Sequence, residues 1–413
     1  MRLKNIAHTP PKGWNSWDCY GASVTEAEVL ANAEYMATHL KDHGWEYVIV
    51  DIQWYEPAAK SSIYNAFFPL EMDEYSRLMP AVNRFPSAKD GAGFKALGEK
   101  IHALGLKFGI HIMRGIPRQA VHQNTPLLGT SLRARDIAHS NSICPWNTDM
   151  YGLDVTKPEA QLYYNSLFEL YASWGVDYIK VDDIAASRLY PPYHQPEIEM
   201  LRKAIDHAGR DMVLSLSPGP APLEHAEALK ANANMWRMTD DFWDKWDALL
   251  PMFERCRKWA PHVQPHNWPD CDMLPLGHIG IRSVDGGGAD RYTRFTKDEQ
   301  ITMMTLWSIF RSPLMFGGEL RDNDPFTLSL LTNTAVNHMH QTITKSWEAS
   351  DIKGIITWEA EAPDQQYMAV FNTTETAITH TLDFTATELW TGTINDAFAI
   401  PPHGAVLLKK GSN

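Results

Sequence analysis

What most constrains the fold of this chain is a unit that recurs along most of it. A short β-branched, apolar run ends in a charged or polar side chain, and an amphipathic helix follows. Its fullest example is Trp174-Gly175-Val176-Asp177-Tyr178-Ile179-Lys180-Val181-Asp182-Asp183. Side chains alternate faces along a strand, so Lys180 and Asp182 point one way while Ile179 and Val181 point the other. Opposite charges at the C-terminal end of a strand suit the rim of a parallel β/α barrel, where catalytic groups gather. A structural ion pair capping the strand is the plainer alternative. The same texture returns in Tyr47-Val48-Ile49-Val50-Asp51, in Leu106 to His111, and in Met212 to Ser217, which runs into Pro218-Gly219-Pro220. Asn234-Met235-Trp236-Arg237 is strand-like and leaves through Met238-Thr239-Asp240-Asp241.

Helices are predicted between these runs, over 90–104, 158–174, 196–208 and 297–311. A further one starts at the capping box Thr25-Glu26-Ala27-Glu28 and stops at Gly44. Alternating strands and helices argue for a parallel sheet with helical crossovers, and polar groups at successive strand ends favour closure into a barrel over an open doubly wound sheet. The 413 residues exceed one ordinary domain, and 44% apolar content supports a large core. After about Gln341 the pattern changes to short alternating runs without helical period, such as Tyr367 to Asn372 and Ala405 to Leu408. The expected division is therefore a catalytic barrel over 1–341 and a small antiparallel β-sandwich over 342–413.

A net charge of −13 argues against nucleic acid and anionic membrane surfaces as partners. The four cysteines, Cys19, Cys144, Cys256 and Cys271, form no C-x-x-C pair and no disulfide framework. No apolar segment follows the first charged residues and no run approaches a membrane span, so a soluble, cytoplasmic protein is expected. Assembly into a homo-oligomer stays open. Neither a dinucleotide nor a Walker pattern is present, and Gly286-Gly287-Gly288 reads as a flexible loop. His262 and His266 are four apart, but Pro265 breaks any helix that would align them on a metal. No G-x-S-x-G elbow supports a serine hydrolase.

Cleaving a glycosidic bond with retention requires two carboxyl groups in different protonation states. Asp182, with Lys180 on the same strand face, is the natural nucleophile, because a neighbouring cation favours its charged form. Asp241 lies four residues beyond Arg237, and a loop carboxyl desolvated near another carboxylate would serve as the acid/base. Asp183 and Asp240 are adjacent competitors. Fifteen tryptophans fit either a large core or faces for sugar rings to stack on.

Several segments then read together. They are Thr9 to Trp17 (TPPKGWNSW), Tyr47 to Asp51, Arg84-Phe85-Pro86, Gly105 to Ile110 and Tyr178 to Asp182. They continue with Trp236-Arg237 to Asp241, Asp270-Cys271-Asp272-Met273-Leu274 and Leu306 to Leu314. In this order and over nearly the whole barrel, the chain resembles glycoside hydrolase family 27. This is the α-galactosidase or melibiase family, with its α-N-acetylgalactosaminidases and β-L-arabinopyranosidases. The resemblance implies a (β/α)8 TIM barrel and an exo-acting retaining hydrolase of oligosaccharides or glycosides, free of metal and cofactor. It would release a terminal sugar of α-galacto configuration through a covalent glycosyl-aspartate. Asp182 would be the nucleophile and Asp241 the acid/base. Trp17 would face the sugar ring, and Asp51, Lys180, Arg237 and Asp272 would bond its hydroxyls.

The chain departs from the family pattern in ways that bear on the sugar. An Asp-Asp pair usually holds O4 and O6 of galactose after the second strand; here it is Asp51-Ile52. A sugar CH2OH against Ile52 would strand a hydroxyl at about 1–3 kcal/mol, whereas β-L-arabinopyranose lacks that arm. Strict alternation would instead turn Ile52 toward the helices. Cys144 matches a loop cysteine whose usual partner position holds Ile184, so that disulfide is absent, as suits a reducing compartment. Ser217 stands in the loop that reads the sugar 2-position, where a small residue leaves room for an N-acetyl group, and Gly219 would add space. His111, ending its predicted strand, stands where the family often has a sugar-contacting Tyr; a hydrogen-bonded histidine at the rim is the plainer alternative. Two rival readings keep the barrel: a metal-dependent hydrolase and a carbohydrate-binding protein without turnover.

Overall fold

The protein is described by a computed structural model covering residues 2–185, 193–286 and 288–411. Eight parallel strands form one sheet: β1 (Lys12–Asn15), β2 (Tyr47–Val50), β3 (Lys107–Met113), β4 (Tyr178–Asp182), β5 (Val213–Leu216), β6 (Met235–Arg237), β7 (Trp268–Asp270) and β8 (Leu314–Phe316). They pair in chain order from β1 to β7, with β8 beside β1. The barrel closes through a parallel bridge between Leu274, just past β7, and Phe316 of β8. Leu274 N donates to Met315 O at 2.8 Å, and Gly317 N donates to Leu274 O at 3.0 Å. All four residues of β2 and of β5 are buried, as expected of strands covered on both faces.

A helix follows each strand: α1 (Glu26–His39), α2 (Lys95–Ala103), α3 (Pro158–Ser173), α4 (Gln195–Ala208), α5 (Ala226–Asn232), α6 (Trp246–Trp259), α7 (Lys297–Phe310) and α8 (Thr334–Thr342). The capping box forms as read: Thr25 accepts from Glu28 N, and the Glu28 carboxylate accepts from Thr25 N. α1 ends at His39, and a 3-10 turn over Lys41–His43 leads to Gly44 at φ 84°. The helix predicted from residue 90 begins only at Lys95, because Asp90 and Gly91 take φ of 59° and 77°. After β3 the chain inserts a small antiparallel sheet of Ile116–Pro117, Ala138–Ile143 and Met150–Leu153, whose connecting loop returns to the barrel mouth.

Beyond α8 lie six antiparallel strands: β9 (Lys345–Ile352), β10 (Ile355–Ala362), β11 (Gln365–Asn372), β12 (Ile378–Glu388), β13 (Ile394–Ile400) and β14 (Ala405–Lys410), in the order β9-β10-β11-β14-β12-β13. These six strands form one continuous antiparallel sheet. Val370, Val406 and Leu408 form a private core with Ala386, Phe398 and Ile400. On the other face, Trp358, Ala369, Phe371 and Leu407 join the hydrophobic cluster of the barrel. Trp358 meets Phe310 of α7 edge-on, and Phe371 meets Phe253 of α6. Among the described residues no helix is long and apolar enough to cross a membrane.

Candidate active site

A cavity of about 750 Å³ opens at the C-terminal ends of the barrel strands, lined among others by Trp17, Asp51, Ile52, Lys180, Asp182, Ser217, Arg237, Asp241 and Asp272. β4 stays regular to its end, with Met113 paired to Asp182 and Val181 to Leu216. Alternation therefore holds as far as Asp182, which faces the cavity with Lys180. Asp183 follows at φ 55° and leaves the strand. It too lines the cavity, but Arg114 holds it: Nη2 lies 3.1 Å from its Oδ2 and Nε donates to its carbonyl.

Asp182 is nearly buried, and both of its oxygens are engaged. Oδ1 accepts from the Asp183 N–H at 2.8 Å, and Oδ2 accepts from His111 Nε2 at 3.0 Å. Burial opposes its charge, yet the His111 bond, the nearby Lys180 ammonium and the Asp183 amide together hold its carboxyl below the usual range. Lys180 Nζ lies 3.0 Å from Asp51 Oδ2, which also accepts from Asn15 Nδ2 at 2.7 Å. Burial works against the Lys180 charge, but the carboxylates of Asp51 and Asp182 outweigh it and raise its pKa. An ionised carboxylate beside a fixed cation is a fit arrangement for nucleophilic attack.

Across the cavity, Arg237 is buried and spans two carboxyl groups, with Nη2 3.0 Å from Asp241 Oδ1 and Nη1 2.9 Å from Asp272 Oδ1. The Asp241 side chain is 63% exposed, so an arriving ligand has water to displace there. Asp272 is buried at φ 83°, and its Oδ2 accepts from Phe242 N at 2.7 Å. Burial chiefly raises the Asp272 pKa against the pull of Arg237, with Asp241 and Asp270 adding to the rise. One side of the cavity thus favours a charged carboxylate, and the other gathers two carboxyl groups on one guanidinium.

A family model described as alpha galactosidase A matches residues 148–342. The curated "Alpha-galactosidase 2" of Arabidopsis thaliana is 26% identical over 343 residues, covering 83% of this chain and 69% of its own. The crystal structure of a GH27 β-L-arabinopyranosidase from Geobacillus stearothermophilus superposes with a TM-score of 0.97 at 63% identity, covering 100% of this chain and 98% of that one. A Bacillus halodurans structure described as a candidate α-N-acetylgalactosaminidase gives a TM-score of 0.88 at 57% identity, covering 98% of both chains. The chain belongs to glycoside hydrolase family 27.

Within this family 27 hydrolase the structure gathers most of the residues singled out from sequence around one cavity, with one exception. His111 is wholly buried and does not line the cavity; its ring lies behind Asp182. The strand expected to end at His111 runs on to Met113, so His111 sits below the rim, hydrogen-bonded to Asp182, and not where a sugar would touch it. Ile52 follows the end of β2 in a turn and lines the cavity, so the alternation that would turn it toward the helices does not extend to it. Gly219 opens no space, since a Cβ there would run into the carbonyl of Thr239. The glycine run is not a free loop either: Gly286 packs on Trp243 and Asp285 lines the cavity, while Gly287 lies outside the described residues.

Other lining residues escaped the sequence reading. Asp18, beside Trp17, is buried with Oδ2 unpartnered, and its carboxyl is pushed well above the ordinary range, first by burial and then by Asp272. Tyr64 stacks on Trp17 at 6.0 Å and tilts toward Trp146 at 5.7 Å, extending an aromatic wall. Asp285 is pushed up to about 6 by burial and by Asp241, with the Trp17 and Ser62 side chains opposing the rise. Asp18 alone carried a signal, since it directly follows a segment already marked. Among the described residues no group of three or more His, Cys, Asp or Glu is arranged to hold a metal ion.

Proposed function

We propose that this enzyme is a retaining exo-β-L-arabinopyranosidase in which Asp182 is the nucleophile and Asp241 the acid/base. In the first step an Asp182 oxygen attacks the anomeric carbon while Asp241 gives its proton to the departing glycosidic oxygen. The C–O bond breaks and a glycosyl-aspartate ester forms. In the second, water gives a proton to Asp241 and its oxygen attacks the same carbon. The ester breaks, releasing the sugar with its original anomeric configuration. Trp17 faces the ring, while Asp51, Lys180, Arg237 and Asp272 bond its hydroxyls.

The observation that carries the choice of sugar is Ile52 in the cavity wall next to Asp51. A hydroxymethyl arm directed at this side chain would lose a hydrogen bond worth about 1–3 kcal/mol. A pyranose without the arm loses nothing. The 63% identity to the Geobacillus β-L-arabinopyranosidase supports the same sugar. Ser217 in the cavity wall and the Bacillus halodurans relative favour an N-acetyl sugar; the backbone packed against Gly219 counts against it. A reducing, cytoplasmic setting is supported by Ile184, which stands where the usual disulfide partner of Cys144 would be.

A panel of aryl glycosides tests this. We expect kcat/KM for the β-L-arabinopyranoside to exceed those for the α-D-galactoside and the α-N-acetylgalactosaminide, with the first-formed sugar retaining its anomeric configuration by NMR. An equal or reversed preference removes the sugar assignment, and an inverted first product removes the mechanism.

A further inference from the structure

Asp182 is held at both oxygens, and the two partners differ in kind. One is the amide of the next residue, which any aspartate at a strand end can recruit. The other is His111 Nε2, at 3.0 Å, from a neighbouring strand. A carboxylate only accepts, so Nε2 carries the hydrogen. The imidazole is wholly buried, and the backbone carbonyl of His111 accepts from Trp54 Nε1 at 2.7 Å. His111 Nδ1 is buried without a hydrogen-bond partner. The charged groups that face the ring are Asp182 and Lys180 of β4 and Asp51 at the end of β2. Nothing in this arrangement lets the ring reach the cavity, so its contact with Asp182 is its link to the chemistry.

We infer that His111 is a positioning residue for the reaction, its Nε2–H fixing the Asp182 carboxylate from behind through both halves of the cycle. The inference rests on Asp182 being the nucleophile. When the ester forms, the Asp182 oxygen facing His111 becomes neutral and the bond weakens. When water releases the sugar, the electron pair of the breaking C–O bond returns to the carboxylate, and a charge-assisted hydrogen bond is restored. The donor therefore aids release of the sugar more than its capture.

His111→Phe removes the donor at similar volume, and His111→Asn, too short to reach, removes it while staying polar; His111→Gln restores an N–H. With an activated aryl glycoside, both donor-free variants should lose about 10- to 100-fold in kcat, with KM falling alongside as the glycosyl-enzyme accumulates. The acid limb of kcat/KM should move up by about 1–2 pH units. The Gln variant should recover most of both. Thermal unfolding identifies a variant that fails to fold, and the other donor-free variant then carries the test. An unmoved acid limb, or a Gln variant as impaired as Phe, overturns the inference. Asp182→Gly with added azide separates the two readings: formation of a glycosyl azide supports Asp182 as the nucleophile, and its absence overturns that assignment instead.

Discussion

The Lys180 ammonium and the Asp51 carboxylate form a buried ion pair between strands β4 and β2, Nζ to Oδ2 at 3.0 Å, with side-chain exposures of 14% and 2%. Asp51 in particular has almost no water to fall back on. Removing the cation leaves Asp51 charged with neutral hydrogen-bond partners, and a buried pair broken on one side costs about 3–5 kcal/mol. Lys180→Met should therefore destabilise the fold by that order in urea unfolding and also depress kcat/KM. The double variant Lys180→Met with Asp51→Asn should recover part of the stability but none of the activity. Equal stability of the single and double variants would show that the pair is not coupled.

Ile52→Asp places a hydrogen-bonding group where the cavity wall is now aliphatic. If a hydroxymethyl arm is excluded by the loss of a hydrogen bond, the variant should shift the ratio of kcat/KM toward the α-D-galactoside by about 10-fold or more. Competition between the two aryl glycosides measures the ratio directly; an unchanged ratio places the discrimination elsewhere.

Asp18 and Gly317 are packed so closely that a Cβ at 317 would overlap the aspartate carboxyl. Gly317→Ala should accordingly cost about 1–3 kcal/mol of stability as the overpacked site strains. Asp18→Ala vacates the space, so the two changes together should be less destabilising than the sum of each, with a coupling above about 0.5 kcal/mol. Strict additivity in a double-mutant cycle would contradict the contact.

Asp183 is pushed up to about 7, chiefly by burial, although Arg114 lies beside it; that guanidinium also serves Glu197. Between the ordinary carboxyl value and 7 the folded chain keeps a proton that the unfolded chain has lost. The stability this group contributes is full below the unfolded value and is lost as pH rises toward 7. Asp183→Asn imitates the protonated form and lacks that slope. The stability of the variant relative to the parent should thus climb from about pH 4 to pH 7 in parallel unfolding titrations. Curves that stay parallel over this window would refute the assignment.

The barrel was legible because parallel strands covered on both faces appear as short apolar runs, and the turn of charge at their ends marks the rim. Asp182 followed from alternation because β4 stays paired to its last residue. Asp241 and Arg237 were legible as a spacing, though not the fact that Arg237 also grips Asp272, just past the end of the next strand. Depth was hidden. Alternation says that His111 points inward, but not that it stops short of the cavity behind Asp182. Asp285, Tyr64 and Trp146 come from long excursions without periodicity, and only the folded chain reveals where those return. Asp18 depends on a glycine almost three hundred residues away, a relation no local pattern carries.

The C-terminal sheet covers part of α6 and α7, with Trp358 and Phe371 set against the aromatic rings of Phe310 and Phe253. A shortened version ending at α8 would carry a greasy, unclothed flank into solvent and invite aggregation before any catalytic measurement. Miniaturising this hydrolase would have to begin by redesigning those two helices, far from the sugar.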